Sequence, residues 1–459
     1  MESFAAPTPS ATSNQQGATE AYPRVLVVNM RPFFQGDATG LTISRLFQGW
    51  PSDRLACLFT RPVVPDWRIC DRYWRISEKE LRYARHLIRR SPPAAPLQPV
   101  PDDVDISSSS YAHQKPLSLP RRLAHSIMNR QNIWQLDTYR LPNFIMQEIE
   151  EYAPQVIYTM LGSNSLMHIV IEVAERLQIP VVPHFTDDWP TTLYKTSIFR
   201  PILRYQMHER LKRILSHSST RLAIGDEMVA EYTKRYGGKF LAFMNTVEPH
   251  HLAQLPTPLP HRKTLKFVYS GGLHLDRGCS LQEIANVLLE LRTEGLEADI
   301  EIYTQPVNHA LAAKLNMPPV MRFAGTLTPE ESFAKIHEAD VLLHVESFDK
   351  AHRTYTRYSV STKIPEYMAS GRPIFAYGPA EIASIRYVQN SGAGLAVGEQ
   401  KQSALMEALR TLITSPELRE SMGAQGRAIA CQRHDAAKNR EEFQQILRQV
   451  ATQQQGVAS

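Results

Sequence analysis

The stretch that decides the fold spans residues 359–378 and reads SVSTKIPEYMASGRPIFAYG. Its hydroxyl-rich beginning predicts a helix that starts near Thr362, since Ser and Thr cap the first amides of helices and Pro365 is tolerated only in a first turn. Gly371 is typical of the left-handed residue that ends a helix, and the apolar run from Ile374 predicts a buried strand. The stretch is therefore a loop, a short helix and a strand.

The start of this short helix carries groups that suit an anionic ligand. Amides near Ser361 and Thr362 point out of the first turn beside the Lys363 ammonium, and helix starts of this kind bind phosphate. Glu366, one turn further, can accept hydrogen bonds from sugar hydroxyls. The alternative is ordinary structure, in which Lys363 and Glu366 form a solvated ion pair.

Length and composition limit the class of protein. A chain of 459 residues exceeds what one hydrophobic core usually serves, so two domains are expected. The net charge of +5 is too small to indicate nucleic acid and fits phosphorylated small molecules or an anionic membrane surface. The four cysteines are scattered without a CxxC pair, which argues against zinc and against a disulfide framework and fits a reducing cytoplasm.

Neither a signal peptide nor a membrane anchor is expected. The first 20 residues are polar and lack an apolar centre, so residues 1–20 are predicted to be a disordered tail. No apolar run approaches the length that spans a bilayer. We expect a cytoplasmic protein, with peripheral contact at the inner membrane face left open.

Strand and helix patterns alternate twice along the chain. The apolar run at residues 24–29 opens one Rossmann-like unit, and the run at 265–269 opens a second. This alternation predicts an α/β fold with two Rossmann-like domains and a ligand cleft between them. The predicted segments are an N-terminal domain at 21–248, a Pro- and His-rich linker at 249–264, a second domain at 265–430, and a C-terminal helix at 431–459 that crosses back to the first domain.

A glycine-containing loop follows the first strand. Gly36 and Gly40 lie where the strand turns into a helix, so the backbone there can approach a ligand closely. The GxGxxG spacing of dinucleotide-binding loops is absent. We interpret Gly36 as part of a loop that lines the cleft, with a plain tight turn as the alternative.

Three further patterns join the stretch at 359–378. They are VYSGGLHLDRG at 268–278, MRFAGT at 321–326 followed by ADVLLHVES at 339–347, and IPVVPHFTDDW at 179–189. Together the four patterns resemble the GT-B glycosyltransferases, in particular the large retaining group known as family 4. The resemblance covers residues 24 to about 450 and is strongest across 265–398.

The resemblance implies a donor site in the second domain. Arg277 matches the family lysine that holds the donor diphosphate, in the loop that also contains Gly271 and Gly272. Gly272 stands where the family has an arginine, so one of two cationic contacts is missing. Backbone groups near Arg322 would contact the nucleobase. Glu346 would face the cleft from a strand end; the alternative is that Glu346 lies in a surface loop.

The stretch at 359–378 contributes the rest of this predicted donor site. Glu366 matches the second of two family glutamates, the one that binds the ribose, whereas Tyr358 replaces the first. The same replacement occurs in a family branch with a Ser/Thr-Lys-x-x-Glu-Tyr signature, in which the lysine and the helix start meet the phosphates. The resemblance therefore implies ligand contacts from Ser361, Thr362 and Lys363 and leaves a two-glutamate mechanism in doubt.

Catalytic candidates lie in the first domain. His184 matches a family histidine that points at the reacting sugar, and Asp187 or Asp188 would orient it or bind acceptor hydroxyls. A buried structural histidine and a magnesium or manganese site at the two aspartates are the alternatives. We predict no bound metal, because GT-B enzymes usually stabilise the leaving diphosphate with helix dipoles and cations.

The predicted function is transfer of a sugar, with retention of configuration, from a nucleotide-diphosphate sugar to a glycan, lipid-linked or other glycoconjugate acceptor in polysaccharide biosynthesis. No further cofactor is expected. A nucleotide-sugar 2-epimerase of the same fold and a non-catalytic GT-B binding subunit are the alternatives. Basic helices predicted at 78–90 and 200–215 raise the question of membrane contact. Donor base, sugar, acceptor and oligomeric state stay open.

Overall fold

The structure is a computed structural model that describes residues 22–34, 38–82, 93–98, 126–256, 262–305, 307 and 309–455. It contains one eight-stranded and one six-stranded sheet, so the prediction of an α/β fold with two Rossmann-like sheets is confirmed. The predicted tail at 1–20, Gly36 and most of the basic segment at 78–90 lie outside the described residues. At the start of that basic segment, Glu78–Glu80 forms a single 3-10 turn.

The first sheet has the order β4-β3-β2-β1-β5-β6-β7-β8. Strand β1 pairs in parallel with β2 on one side and with β5 on the other, so later strands are added in opposite directions from β1. Only the short β4, among the strand pairs with an assigned direction, runs antiparallel to its neighbour. The strands are β1 Val25–Asn29, β2 Leu55–Phe59, β3 Tyr73–Arg75, β4 Ala95–Pro96, β5 Val156–Thr159, β6 Val181–Phe185, β7 Thr220–Ala223 and β8 Lys239–Ala242.

Helices connect these strands. The sequence explains helix α3 in two ways. The Ser163 hydroxyl caps the start of the helix by accepting from the Leu166 amide, and the apolar face of the helix is buried. The helices in this part of the chain are α1 Ala38–Leu46, α2 Asn143–Tyr152, α3 Asn164–Leu177, α4 Trp189–Thr192, α5 Arg200–Ser216 and α6 Asp226–Tyr236.

The second sheet has the order β11-β10-β9-β12-β13-β14, and every neighbouring pair in it is parallel. This is the 3-2-1-4-5-6 order of the Rossmann fold, in which the strand order reverses between the first and fourth strands, here β9 and β12. Ligands bind at such a switch point, beyond the carboxyl ends of the strands. The strands are β9 Leu265–Ser270, β10 Ala298–Tyr303, β11 Met321–Gly325, β12 Val341–Val345, β13 Ile374–Tyr377 and β14 Gly394–Val397.

The second sheet is buried on both faces, which explains its continuous apolar strands. Phe267, Ile300 and Leu343 are fully buried and pack in one core with residues of α8 and α14. The helices that cover or follow this sheet are α7 Pro249–Ala253, α8 Arg277–Thr293, α9 His309–Lys314, α10 Pro329–Glu338, α11 Lys350–Thr356, α12 Lys363–Ala369, α13 Ala383–Ser391, α14 Gln402–Thr414, α15 Pro416–Arg433 and α16 Ala436–Gln455. Helix α7 therefore lies within the segment predicted as a linker.

The chain divides into two compact units. The first contains the described residues up to His184, Tyr194–Arg221 and those from Arg440 onward; the second contains Phe185–Leu193 and Leu222–Asn439. In the first unit, the Phe443 ring of α16 packs edge-on against Phe47 and Tyr158, with ring centroids 5.0 and 5.5 Å apart. The predicted domain limits stay a prediction, but the segment with Asp187 and Asp188 belongs to the second unit.

Candidate nucleotide-sugar site

Helix α12 begins and ends where the sequence predicts. Thr362 is the residue before its first turn, and Lys363 is its first residue. Gly371 follows the helix with a φ of +70°, a left-handed conformation that glycine adopts without strain. The chain then enters β13 at Ile374. The local prediction for this stretch is therefore confirmed.

The two charged side chains of α12 pair with each other. Lys363 Nζ lies 2.8 Å from Glu366 Oε2, and the two side chains are 29% and 12% exposed. The pair is thus more shielded from water than the solvated pair that was the alternative. Ser361, just before the helix, accepts a 3.4 Å hydrogen bond from the Lys363 amide. The predicted ligand groups therefore lie together at one end of a seven-residue helix.

Tyr367 fastens α12 to the end of β9. Its hydroxyl donates to the Ser270 carbonyl and accepts from the Ser270 amide, each at 3.0 Å, and the side chain is buried. Because Gly271 follows Ser270 directly, these bonds hold the Lys363–Glu366 pair near the glycine loop. Sequence reasoning did not assign Tyr367 a role, although it stands at the tyrosine of the Ser/Thr-Lys-x-x-Glu-Tyr signature.

The loop from Gly271 to Asp276 makes a tight turn into α8. The Tyr269 hydroxyl donates to the Gly272 carbonyl at 2.7 Å, and Asp276 has a left-handed φ of +59°. A Cβ atom at Gly272 would lie 2.4 Å from His274 Nδ1. A side chain such as the family's arginine would therefore require His274 to move.

Arg277 and Glu346 form an ion pair across the switch point of the second sheet. Arg277 is the first residue of α8, which follows β9, and Glu346 comes directly after β12. Arg277 Nη2 donates to Glu346 Oε1 at 2.8 Å, and the side chains are only 14% and 4% exposed. The Ser280 hydroxyl donates to the Glu346 carbonyl at 2.8 Å. A Cβ atom at Gly378 would lie 2.8 Å from Glu346 Cβ, so glycine permits this close approach.

Burial and charge oppose each other at this ion pair. Burial raises the pKa of Glu346, and the neighbouring Arg277 lowers it without cancelling the rise. Burial also lowers the pKa of His344, on β12, to about 3, and Arg277 adds to that fall. His344 is therefore neutral near neutral pH, with its Nε2 atom 2.9 Å from the Ser384 hydroxyl.

Asp187 is held by hydroxyl groups from the region before α12. The Ser359 hydroxyl donates to its Oδ1 at 2.7 Å, and the Tyr355 hydroxyl donates to its Oδ2 at 3.2 Å. Burial raises the pKa of Asp187, while these two bonds and the charge of Arg277 lower it. The structure therefore brings Asp187 into the electrostatic environment of Arg277 and Glu346.

Asp188 faces different partners from its neighbour. Arg235 Nη1 lies 2.8 Å from Asp188 Oδ1, which also accepts from the Tyr232 hydroxyl at 3.0 Å. Asp188 is 1% exposed. These contacts fasten the segment after β6 to α6 and favour a structural role for Asp188.

His184 lies at the end of β6 in the first unit. It is buried, and its Nδ1 atom lies 2.8 Å from the Tyr158 hydroxyl. This environment agrees with the buried structural histidine that was the alternative. Its catalytic role stays a prediction.

Arg322 lies away from the groups around Gly271. In the sheet it is opposite Glu301, which in turn is opposite Val268, two residues before the end of β9. Its guanidinium pairs with Glu301, and its side chain is 67% exposed. The structure thus does not bring the Arg322 side chain to the Arg277–Glu346 pair; the predicted contact from backbone groups stays a prediction.

Metal-binding clusters and membrane-spanning helices are both absent from the described part of the chain. Within it, no group of three or more His, Cys, Asp and Glu side chains is arranged to hold a metal ion. No helix within it has the length and apolar character needed to cross a membrane.

Comparison with known proteins identifies the fold. No protein-family model matches the sequence, and no curated protein does. Among solved structures, HepE of Anabaena in complex with UDP and glucose is 12% identical, with a TM-score of 0.56 over 93% of this chain and 99% of its own. Sucrose-phosphate synthase of Thermosynechococcus elongatus is also 12% identical, with a TM-score of 0.60 over 93% and 98%.

A third similar structure is WaaG, a glycosyltransferase involved in lipopolysaccharide biosynthesis. It is 13% identical, with a TM-score of 0.52 over 92% of this chain and 99% of WaaG. At these identities the likeness shows the fold alone. The chain has the GT-B architecture of its structural neighbours, as the sequence predicts.

Proposed function

We propose that this protein is a glycosyltransferase that binds a nucleotide-diphosphate sugar in its second unit. The observation that carries the proposal is the Arg277–Glu346 ion pair across the switch point between β9 and β12. The Lys363–Glu366 pair is held to the same end of β9 by Tyr367. Both cations are thus available where parallel sheets of this order bind their ligands.

Transfer of a sugar breaks the bond between its anomeric carbon and the diphosphate, whose oxygen keeps the electron pair. Cations and amide dipoles aimed at that oxygen are the strongest means a protein has to lower the barrier. We assign this work to Arg277, Lys363 and the amide of Thr362, because the Ile364 amide already donates to the Ser361 carbonyl at 3.2 Å. The oxygen of an acceptor hydroxyl then bonds to the anomeric carbon, and its proton passes to an oxygen of the departing diphosphate. The family resemblance supports retention of configuration.

Among the catalytic candidates, Asp187 has the surroundings that best suit contact with substrate in the second unit. Its carboxylate is held by two hydroxyls and lies in the field of Arg277. We propose that Asp187 positions sugar hydroxyls. The partners of Asp188 and His184 support a structural role for these residues.

The donor site is tested by replacing Lys363 and a matched lysine. Lys335 pairs with Glu338 at the same i,i+3 spacing and the same 2.8 Å distance, but on α10. We expect Lys363→Ala to weaken binding of the preferred nucleotide sugar by about tenfold to a hundredfold, the value of a charged hydrogen bond. Lys335→Ala should leave binding unchanged. Isothermal titration with UDP-, GDP-, ADP- and dTDP-sugars measures both, and equal behaviour of the two variants would refute the assignment.

The same panel separates the alternative functions. Isomerisation of the donor sugar without acceptor, followed by NMR, would identify a 2-epimerase. Donor binding without hydrolysis or transfer would identify a non-catalytic binding subunit. We expect slow hydrolysis, because a glycosyltransferase site admits water occasionally when no acceptor is present.

A lipid-linked acceptor would require contact with a membrane, and α5 presents a suitable surface. On α5, Ile202 and Tyr205 are 53% and 69% exposed at the spacing of one helix face, and Arg200 and Arg204 lie among them. Ile198, two residues before the helix, is 73% exposed. Exposed apolar side chains beside cations suit an anionic lipid surface. We therefore propose peripheral contact through α5, in a cytoplasmic enzyme of polysaccharide or glycoconjugate assembly.

Liposome flotation tests this contact. Ile202→Glu should reduce flotation with anionic vesicles, whereas Leu255→Glu, at a leucine outside α5 that is 74% exposed compared with 53% for Ile202, should not. Flotation that does not depend on anionic lipid, or that both variants reduce equally, would retire the proposal.

A further inference from the structure

One guanidinium serves two carboxylates in the candidate donor site. Arg277 bonds to Glu346 at 2.8 Å, and its charge also acts on Asp187. The Nε–H of Arg277 is buried and has no hydrogen-bond partner among the described residues. Counting one positive and two negative charges, the cluster is already net negative before a donor binds. A diphosphate would add further negative charge to a mostly buried place, which is costly unless it is compensated.

The groups around Glu346 come from four elements. Arg277 approaches from α8, His344 Nε2 from β12 at 3.7 Å, Tyr269 from β9, and Asp187 from the segment after β6. Around Asp187 lie the hydroxyls of Ser359, Tyr355 and Thr186, which donate to the carboxylate and bring no positive charge.

The second cation that the family resemblance places in this loop is absent. Gly272 stands at its position, and a Cβ atom there would lie 2.4 Å from His274 Nδ1. Lys363 adds little net compensation because it is already paired with Glu366, so further compensation for a diphosphate must come from another source. Protonation of a carboxylate would supply one unit of charge and would release Arg277 from its ion pair.

On the basis of the proposed function, we propose that binding of the nucleotide-sugar donor takes up one proton on the Glu346–Asp187 pair. The proton comes from solvent and converts one carboxylate to a carboxylic acid. Arg277 then exchanges its bond to Glu346 for bonds to a diphosphate oxygen, to which both Nη2 and Nε can donate. The two carboxylates titrate as a coupled pair, so the proton belongs to the pair.

The electrostatics of the unliganded site supports this coupling. Burial raises the pKa of both Glu346 and Asp187, and the charge of Asp187 adds to the rise at Glu346. Loss of the Arg277 contact on ligand binding removes a group that lowers the pKa of Glu346. Both carboxylates are thus prepared to accept a proton when an anion arrives.

Isothermal titration measures proton uptake directly. The ligand is whichever of UDP-glucose, GDP-mannose, ADP-glucose and dTDP-glucose binds most tightly, because a nucleotide sugar lacks the terminal phosphate group that titrates at about pH 6. Titrations in buffers of different ionisation enthalpy, with EDTA present, should show uptake of about one proton. Affinity should fall by up to about tenfold per pH unit as pH rises.

The variants assign the proton to the pair. Glu346→Gln imitates the protonated side chain, so it should bind the donor more tightly than the wild type at every pH at which the wild type takes up the proton, and it should lose most of the uptake and the pH dependence. Glu301→Gln, at a carboxylate that pairs with Arg322 on the same sheet, should behave as the wild type. His344→Asn should also keep the uptake, since the proton does not go to that imidazole.

Three outcomes would overturn the inference. The first is a wild-type binding enthalpy that does not change with the ionisation enthalpy of the buffer, which would exclude proton uptake even if the variants failed to fold. Uptake that persists in Glu346→Gln would place the proton elsewhere, and binding that requires added Mg²⁺ would assign the compensation to a metal ion. Failure of all four nucleotide sugars to bind would instead refute the proposed function on which the inference rests.

Discussion

Two arginine–glutamate pairs in the second sheet have the same chemistry and different surroundings. Arg277 pairs with Glu346 beyond the carboxyl ends of β9 and β12, where both side chains are nearly buried. Arg322 pairs with Glu301 between β11 and β10, at the edge of the sheet, where the arginine is 67% exposed. The two pairs have the same residue types, so a candidate ligand group is identified here by its position at the switch point of the sheet.

The energetics of the two pairs agree with this distinction. A buried ion pair gives little net stability, because removal of both charges from water offsets their attraction. An exposed pair is worth little because water and salt screen it. Stability therefore does not explain the Arg277–Glu346 pair, and the following predictions test whether the pair binds a ligand.

The largest expected effect is on donor affinity. Arg277→Ala should weaken binding of the preferred nucleotide sugar by about a hundredfold, since it removes charged hydrogen bonds in a mostly buried site. Arg322→Ala should change it by less than about threefold, because only backbone groups of that region are predicted to meet the ligand. Calorimetric titration of both variants measures the contrast, and a larger loss in Arg322→Ala would reverse the comparison.

A smaller effect concerns the stability of the protein in acid, which depends on the buried His344 on β12. The pKa of His344 is about 3 in the folded protein and about 6.5 when unfolded, so the unfolded chain binds more protons as pH falls below about 6.5. The folded state should lose about 2 kcal/mol from this group by about pH 5, a fall of about 5 °C in Tm.

His344→Asn removes this contribution. Its Tm should fall less between about pH 7 and about pH 5 than that of the wild type, as followed by circular dichroism. His309→Asn, at an exposed position on α9, is the matched control and should keep the wild-type fall. A pH profile of His344→Asn that is parallel to the wild type would contradict the buried neutral imidazole.

The smallest expected effect is at the contact that joins α12 to β9. Tyr367→Phe removes the hydroxyl that bonds to both polar groups of Ser270, and should cost about 1 kcal/mol in unfolding free energy. Donor affinity should fall modestly because Lys363 is held less firmly. Tyr303→Phe, which removes a hydroxyl that donates to Glu301, is the control for donor affinity. Chemical denaturation measures the stability of both variants, and calorimetric titration measures their donor affinity. An equal loss of affinity in the two variants would contradict the proposed role of Tyr367.

Local features of the fold were predictable because their causes are local. The start of α12 at Lys363 agrees with the hydroxyl-rich segment before it, although Ser361 and not Thr362 accepts from the Lys363 amide. The end of α12 follows from Gly371. The buried strands of the second sheet follow from apolar runs between turn residues. Helix α11 at Lys350–Thr356 was not predicted, because only seven residues between two irregular segments carry its pattern.

Side-chain partners across the fold were not predictable, because they depend on segments far apart in the chain. Asp187 and Asp188 are neighbours in sequence, yet one bonds to Ser359 and the other to Arg235. Their separate environments arise from tertiary packing, which single-residue patterns do not encode. The position of Glu346 at a strand end, and of Arg277 between a strand and the next helix, was predictable from the alternation of elements, but their mutual contact was not.

The central claim is that the second unit binds a nucleotide-sugar donor for transfer. Incubation of the wild type and Arg277→Ala with UDP-, GDP-, ADP- and dTDP-sugars, followed by measurement of released nucleoside diphosphate, tests it most directly. We predict slow release from one of these donors by the wild type and loss of that release in Arg277→Ala. No release from any donor, or equal release by both proteins, would contradict the claim.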